Sequence, residues 1–363
     1  MSSFRKAYLV KRRIAGRMLR KRGIHGIGVG LHDPKNPKKG AAIIVYAEAL
    51  SSAAARKRGG KKRTSPLPPR IATKAGVPIR IVRSTKFCKN RTAPLSKRSF
   101  TGRIRPVVAG YSVGTSVASG TAGLIVSDIN NGQSRYILSN NHVLVKENTN
   151  RFSETIQPGG ADGGISGRDR IGRMDRFIPL SKKRANYLDA ATSKPLRRSL
   201  LKPAYAVYGT VPGYIKSYKI GDRFKKVGRT SGVVTGTVES IHTDIQVDYG
   251  DYGNLGTITF KNQSVIRGKR PVSLAGDSGS VWLTRRGNLA AAVNFAGSDN
   301  GLLSISYPID WFMKVFKTRV ARPGKAGTAR PNRGRSGKYM CVLPLSPKQL
   351  KAIKPSKARR FRK

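Results

Sequence analysis

Ser278 lies in the stretch Leu274-Ala275-Gly276-Asp277-Ser278-Gly279-Ser280, a run of small residues around one acid. Such a run serves equally as a polar turn before a strand or as the loop that presents a nucleophilic serine, because Gly tolerates positive φ and Asp bonds its own backbone. A serine hydroxyl attacks only when a base takes its proton and a third group orients that base. The chain has four histidines. His25 and His32 fall in a strongly basic N-terminal region, and His242 follows the strand-like Val238-Glu239-Ser240-Ile241. His142 ends the apolar run Tyr136-Ile137-Leu138-Ser139-Asn140-Asn141, where a barrel strand hands a side chain to a cleft edge. A hydrogen-bonded histidine at a strand end is the alternative. Asp189, among Tyr187, Leu188, Ala190 and Ala191, sits where a carboxylate is expected to be buried and therefore partnered, in a triad or in a turn. Asp162, Asp169 and Asp175 lie in Gly/Arg-rich sequence and are expected to be solvated or paired with neighbouring arginines.

The order is histidine, aspartate, serine, at positions 142, 189 and 278, as in the chymotrypsin arrangement and unlike the subtilisin and α/β-hydrolase orders. Residues 106–316 resemble a trypsin-like, chymotrypsin-fold serine peptidase domain, and more narrowly a bacterial and plant branch that includes the plant narrow-leaf-type proteases. The resemblance is carried by LSNNHVL, IQPGGADGG, RIGRM, LDAAT, VGRTSGVVTGTV, AGDSGS and VNFAGS. It implies Ser278 as nucleophile, His142 as general base and then acid, and Asp189 as the group that orients the imidazole. It implies backbone amides of Gly276 and Ser278 as the oxyanion hole, a structural Asp277, and Phe295, Ala296 and Gly297 as the edge that pairs with an extended substrate. Asn140-Asn141 replace the usual two alanines, and Val143 stands where a disulfide cysteine is usual. Val272, six residues before the serine, argues against a trypsin-like preference. The expected activity is that of a serine endopeptidase without metal or other cofactor, rising with pH as His142 loses its proton.

From Pro106 onward the chain consists of short β-like runs broken by Gly, Asn, Asp and Ser, a pattern of sandwiches and barrels. The predicted fold is mostly β, and the resemblance implies a chymotrypsin-like double β-barrel. A small α+β module (1–83) and a basic linker (84–105) precede the peptidase domain (106–317), and a basic, largely disordered tail (318–363) follows it. Within the module the pattern predicts a helix over 4–22 and strands over 23–31, 41–50 and 77–82, with an exposed loop over 56–70. Asp310 is the expected N-cap of a short helix over 311–317.

Most of the net charge of +55 resides in the flanks. Residues 1–105 hold 29 Lys/Arg against 2 Asp/Glu, and residues 311–363 hold 17 against none. Basic flanks predict, as the second functional reading, a non-specific, salt-sensitive nucleic-acid-binding protein with a degenerate or accessory peptidase fold; a peptide or protein substrate is the partner in the first. No recognition-module pattern and no concentration of aromatics in the flanks supports base stacking. No apolar run is long enough for a membrane span, and the N-terminus lacks a secretory apolar core. A cytoplasmic location is expected, although the Arg-rich, acid-free start also matches an organelle transit peptide. Two distant cysteines, Cys88 and Cys341, form neither a disulfide framework nor a metal cluster. The sequence leaves both their pairing and homo-oligomer formation open.

Overall fold

A computed structural model describes residues 2–48, 70–89, 100–324, 327–330 and 340–359. Most of the expected loop over 56–70 and the middle of the linker lie outside these residues.

One sheet, the first barrel, carries the first half of the region that begins at Pro106. Its strands Leu124–Asp128, Arg135–Ser139, Ala191–Pro195, Arg170–Phe177, Glu154–Ile156, Ser112–Thr115 and Ala118–Thr121 follow one another in hydrogen-bonded order. A second set closes on itself. Strand Arg223–Gly228 pairs with Val281–Thr284, and the order continues through Ala290–Ser298, Leu303–Pro308 and Thr257–Arg267 to Gly232–Asp248, which pairs back with Arg223–Gly228. Ala290–Ser298 is buried at every residue, which explains why all of its side chains but Asn294 are small or apolar.

The N-terminal region extends this second barrel. Ile24–Leu31 pairs antiparallel with Gly232–Asp248, placing Gly26 opposite Ile245 and Gly30 opposite Ser240. Ala41–Ala47 and Pro78–Arg83 then add outward. Helix Phe4–Leu19 covers this extension. Ser3 caps it by accepting from the Lys6 amide at 3.1 Å, and its inner face buries Phe4, Ala7, Val10, Ala15 and Met18. Lys11 on the same face is buried against Asp244 at 2.7 Å.

Two expectations change. The helix of the last third spans Ile309–Phe316 with Pro308 at its N-cap. Asp310 therefore lies inside it, buried and paired with Lys314 one turn on at 2.8 Å. The tail, expected to be largely without structure, is ordered over much of its described length. Thr318–Val320 pairs with Leu124–Asp128, and Pro347–Ala352 is a helix with a Ser346/Gln349 capping box. Ser356–Lys357 adds to Arg170–Phe177. Basic composition masks this order because Val342, Leu345 and the Trp311 Nε1–Leu343 carbonyl bond at 3.0 Å anchor the segment to the core.

His242 is buried at a left-handed backbone position with φ 50°. Its Nε2 lies 3.0 Å from the Cys341 carbonyl and its ring 4.8 Å from that of Tyr8. Burial pushes its pKa down to about 4. The unfolded chain therefore takes up a proton near the ordinary histidine value, whereas the folded chain resists until about 4. The stability involved is present above the ordinary value and lost as pH falls towards 4, by up to roughly 3 kcal/mol. Urea midpoints measured at about pH 8 and about pH 4.5 should fall on acidification, and His242→Asn, which tolerates the same backbone, should narrow the difference. An unchanged pH dependence in the variant contradicts this assignment.

Candidate active site

Strand register brings His142 and Asp189 together. Arg135–Ser139 and Ala191–Pro195 are antiparallel neighbours with Ser139 opposite Ala191. The chain leaving the first strand and the chain entering the second thus meet at the same end of the ladder. His142 stands in the short helical turn Asn141–Leu144, three residues beyond Ser139. Its Nδ1 is 2.5 Å from Asp189 Oδ2. Asp189 has no exposure to water. Its Oδ1 accepts from the Asn141 amide at 2.7 Å and, more weakly, from the His142 amide at 3.4 Å.

Asn140 and Asn141 hold this geometry in place. Asn140 Nδ2 donates to the Asp189 carbonyl at 2.6 Å. Asn141 Nδ2 donates to the Ile178 carbonyl and to Asn148 Oδ1, each at 2.7 Å. Tyr252 hydroxyl donates to Asn141 Oδ1 at 2.6 Å. The two asparagines thus supply side-chain donors and acceptors where alanine would supply none.

Tyr249 was not legible in the sequence. It stands just past the end of strand Gly232–Asp248, in the second barrel. Its hydroxyl donates to Asp189 Oδ2 at 2.5 Å, beside the imidazole. Burial raises its pKa well above the ordinary phenol value, and the Asp189 charge adds to the rise, so the hydroxyl keeps its proton. An Asp-Tyr-Gly-Asp-Tyr-Gly run reads as a turn, and no spacing ties it to Asp189.

Ser278 comes from the loop before Val281–Thr284. Asp277, fully buried, organises that loop. Its Oδ1 accepts from the Thr230 and Ser231 amides at 3.0 and 2.9 Å, and its Oδ2 from the Leu274 amide at 2.9 Å. The buried Lys226 ammonium lies 3.7 Å away. Burial lowers the Lys226 pKa while Asp277 opposes that fall. Gly276 has φ 88°, and a Cβ there would lie 2.6 Å from Arg229 Cδ, so only glycine suits the position. The Gly276 amide donates to no acceptor among the described residues, whereas the Asp277, Gly279 and Ser280 amides all donate inward. Ser278 is nearly buried, and its Oγ is 3.4 Å from the Phe295 carbonyl.

The strand Ala118–Thr121 joins the two halves of the site. The Thr121 amide donates to the Ser278 carbonyl at 2.8 Å, and Thr121 Oγ1 donates to the Gly276 carbonyl at 2.8 Å. Gly120 lies where the two halves come close. A Cβ there would clash with Val143 Cγ2, lie 2.7 Å from Val143 Cγ1, next to His142, and 2.9 Å from the Ser278 carbonyl oxygen. Asp162 in the first barrel pairs with Arg229 in the second, its Oδ2 accepting from Nε at 2.7 Å. Asp169 pairs with Arg103 and Arg168, and Asp175 with Arg176, so all three loop aspartates engage arginines. A cleft of about 550 Å³ opens beside His142, bordered by Thr115, Ala118, Glu147, Tyr249 and Tyr252.

Phe295, Ala296 and Gly297 lie in buried strand Ala290–Ser298, whose end passes Ser278. Val272 is buried in the second barrel. Among the described residues no group of three or more His, Cys, Asp or Glu could hold a metal ion, and no helix is long and apolar enough to cross a membrane. Cys88 and Cys341 form no disulfide.

No protein-family model matches this sequence, and no curated protein does. Among solved structures the chain is similar to a glutamic-acid-specific serine protease whose description names a histidine triad in substrate binding. That match has 19% identity, covers 59% of this chain and 100% of the other, and has a TM-score of 0.43. It is also similar to a Nocardiopsis protease (18% identity, 60% and 99% covered, TM-score 0.42). A third is Thermobifida fusca protease A (17% identity, 60% and 99% covered, TM-score 0.42). The molecule is mostly β, its strands gathered into two barrels.

Removing the Tyr249 hydroxyl leaves the imidazole as the sole side-chain donor to Asp189 Oδ2 among the described residues. A hydrogen bond to a buried charge is worth about 1.5–3 kcal/mol. Tyr249→Phe should lower kcat for a small ester about tenfold with KM little changed, and should shift the acid limb of its pH profile. Equal kcat and an unshifted profile contradict a positioning role.

Proposed function

We propose that this protein is a serine endopeptidase. The observation that carries this reading is the His142 Nδ1–Asp189 Oδ2 contact at 2.5 Å, made at the edge of the cleft. A base so held has one nitrogen engaged by the carboxylate and uses the other to take up a proton. Asp189 fixes the tautomer and steadies the imidazolium that forms when a proton is taken up. Ser278 supplies the hydroxyl, on a loop that Asp277 and Thr121 tie to both barrels.

In this reading Ser278 Oγ bonds to a peptide carbonyl carbon as His142 accepts the hydroxyl proton. The imidazolium then gives that proton to the departing amine as the C–N bond breaks. Water, deprotonated by the same imidazole, releases the acyl group and restores the hydroxyl. Charge on the tetrahedral oxygen is met by the Gly276 and Ser278 amides, and one such donor contributes about 2.7–4 kcal/mol. Phe295-Ala296-Gly297, near the end of strand Ala290–Ser298, receives the acyl side of the peptide as an added β-strand.

A fluorophosphonate probe should label the protein at Ser278, and Ser278→Ala should abolish labelling while the fold persists. Asp189→Asn should lower kcat by about 10⁴, since the imidazole then holds the wrong tautomer. Labelling that survives Ser278→Ala, or full activity in Asp189→Asn, rules the reading out.

A further inference from the structure

The edge assigned above to the substrate is already paired. Phe87–Cys88, a two-residue strand, runs antiparallel to it with Cys88 opposite Gly297 and Phe87 opposite Ser298. On its other side the same strand pairs in parallel with Val247–Asp248. The Lys89 amide then donates to the Asp248 carbonyl at 3.0 Å.

The direction of the chain is informative. Antiparallel pairing means that passage from Phe87 to Lys89 leads from Ser298 towards Phe295, whose carbonyl faces Ser278 Oγ at 3.4 Å. That is the direction in which the acyl side of a peptide approaches its nucleophile. A surface strand merely covering an edge could run either way.

Lys89 sits in the cleft beside His142, its ammonium 4.6 Å from the Tyr252 ring centroid. Glu147, Asp248 and Asp251 border the same space, three of the 17 acidic residues in a chain of net charge +55. Burial lowers the Lys89 pKa, while the charges of Asp189, Glu147, Asp251 and Asp248 hold it up. An aromatic face backed by carboxylates suits a cation. The segment is anchored from behind by the N-terminal sheet. Phe87 is buried with its ring 5.7 Å from Tyr46, the Ser84 amide donates to the Ala47 carbonyl at 2.9 Å, and Thr85 Oγ1 accepts from the Asp299 amide at 2.9 Å.

We propose that Phe87–Lys89 is the protein's own peptide bound in the acyl-side subsites, excluding extended substrates, and that Lys89 marks a pocket selective for a basic side chain. This deepens the peptidase reading and rests on it. The N-terminal region acquires a role from this placement: through its sheet it holds an internal competitor at high effective concentration.

Two measurements on the intact 363-residue chain separate the proposals. Fluorophosphonate labelling needs Ser278 and not the strand edge, whereas turnover of an extended peptide amide needs both. Lys89→Pro removes the amide that bonds Asp248 together with the ammonium, and Lys89→Ala removes the ammonium alone. Both should raise kcat/KM for an extended peptide about tenfold or more, with the labelling rate within about twofold of wild type. In the Lys89→Ala protein, a peptide with lysine at the position Lys89 vacates should be cleaved about tenfold better than its glutamate counterpart. Unchanged peptide turnover in both variants with labelling intact overturns the bound-peptide proposal, and equal cleavage of the two peptides overturns the pocket. Absence of labelling in the wild type overturns the peptidase reading instead.

Discussion

Asp189 is a carboxylate with no exposure to water, and its surroundings are built to hold that charge. A buried charge persists only where donors converge on it. Here they come from both barrels: the Asn141 and His142 amides and the His142 ring from the first, the Tyr249 hydroxyl from the second. The orientation of the imidazole, the position of the short helix and the approach of the second barrel's ribbon are all tied to this one carboxylate.

The second joint is Thr121. Its amide and hydroxyl bond the backbone on either side of Asp277, so the serine loop is fastened to the barrel that carries the histidine. Gly120 lets the two approach without a side chain between them. The Asp162–Arg229 pair closes the same seam behind Gly276. The loop is also tied down within its own barrel by three amide bonds to Asp277 and by the buried Lys226, and this ties its conformation to folding of the core.

Much of this was legible in the sequence because it is local. Strands at Leu124–Asp128, Arg135–Ser139, Val281–Thr284 and Ala290–Ser298 follow their apolar runs, and a strand-end histidine and a glycine-flanked serine have local signatures. The burial of Asp189 followed from its neighbours. What escaped depends on pairing between remote segments. Nothing near Gly26–Gly30 announces Ser240–Ile245 as its partner. Tyr249 reaches Asp189 only because the end of strand Gly232–Asp248, in the second barrel, lies against the Asp189 segment of the first. Phe87–Cys88 is too short to register as a strand before its neighbours are known. Asp310 looked like a cap because a boundary residue of that type usually is one; here Pro308 starts the helix earlier and leaves the acid inside.

The central claim is that side chains from two barrels act as one nucleophilic unit. Pre-steady-state hydrolysis of a nitrophenyl ester tests it most directly, because a covalent acyl intermediate releases its first product in a burst. The account predicts a burst of about one equivalent per protein, with the trapped acyl group mapped by mass spectrometry to Ser278. A linear time course with no acyl group on that residue, in protein shown to be folded, would contradict it.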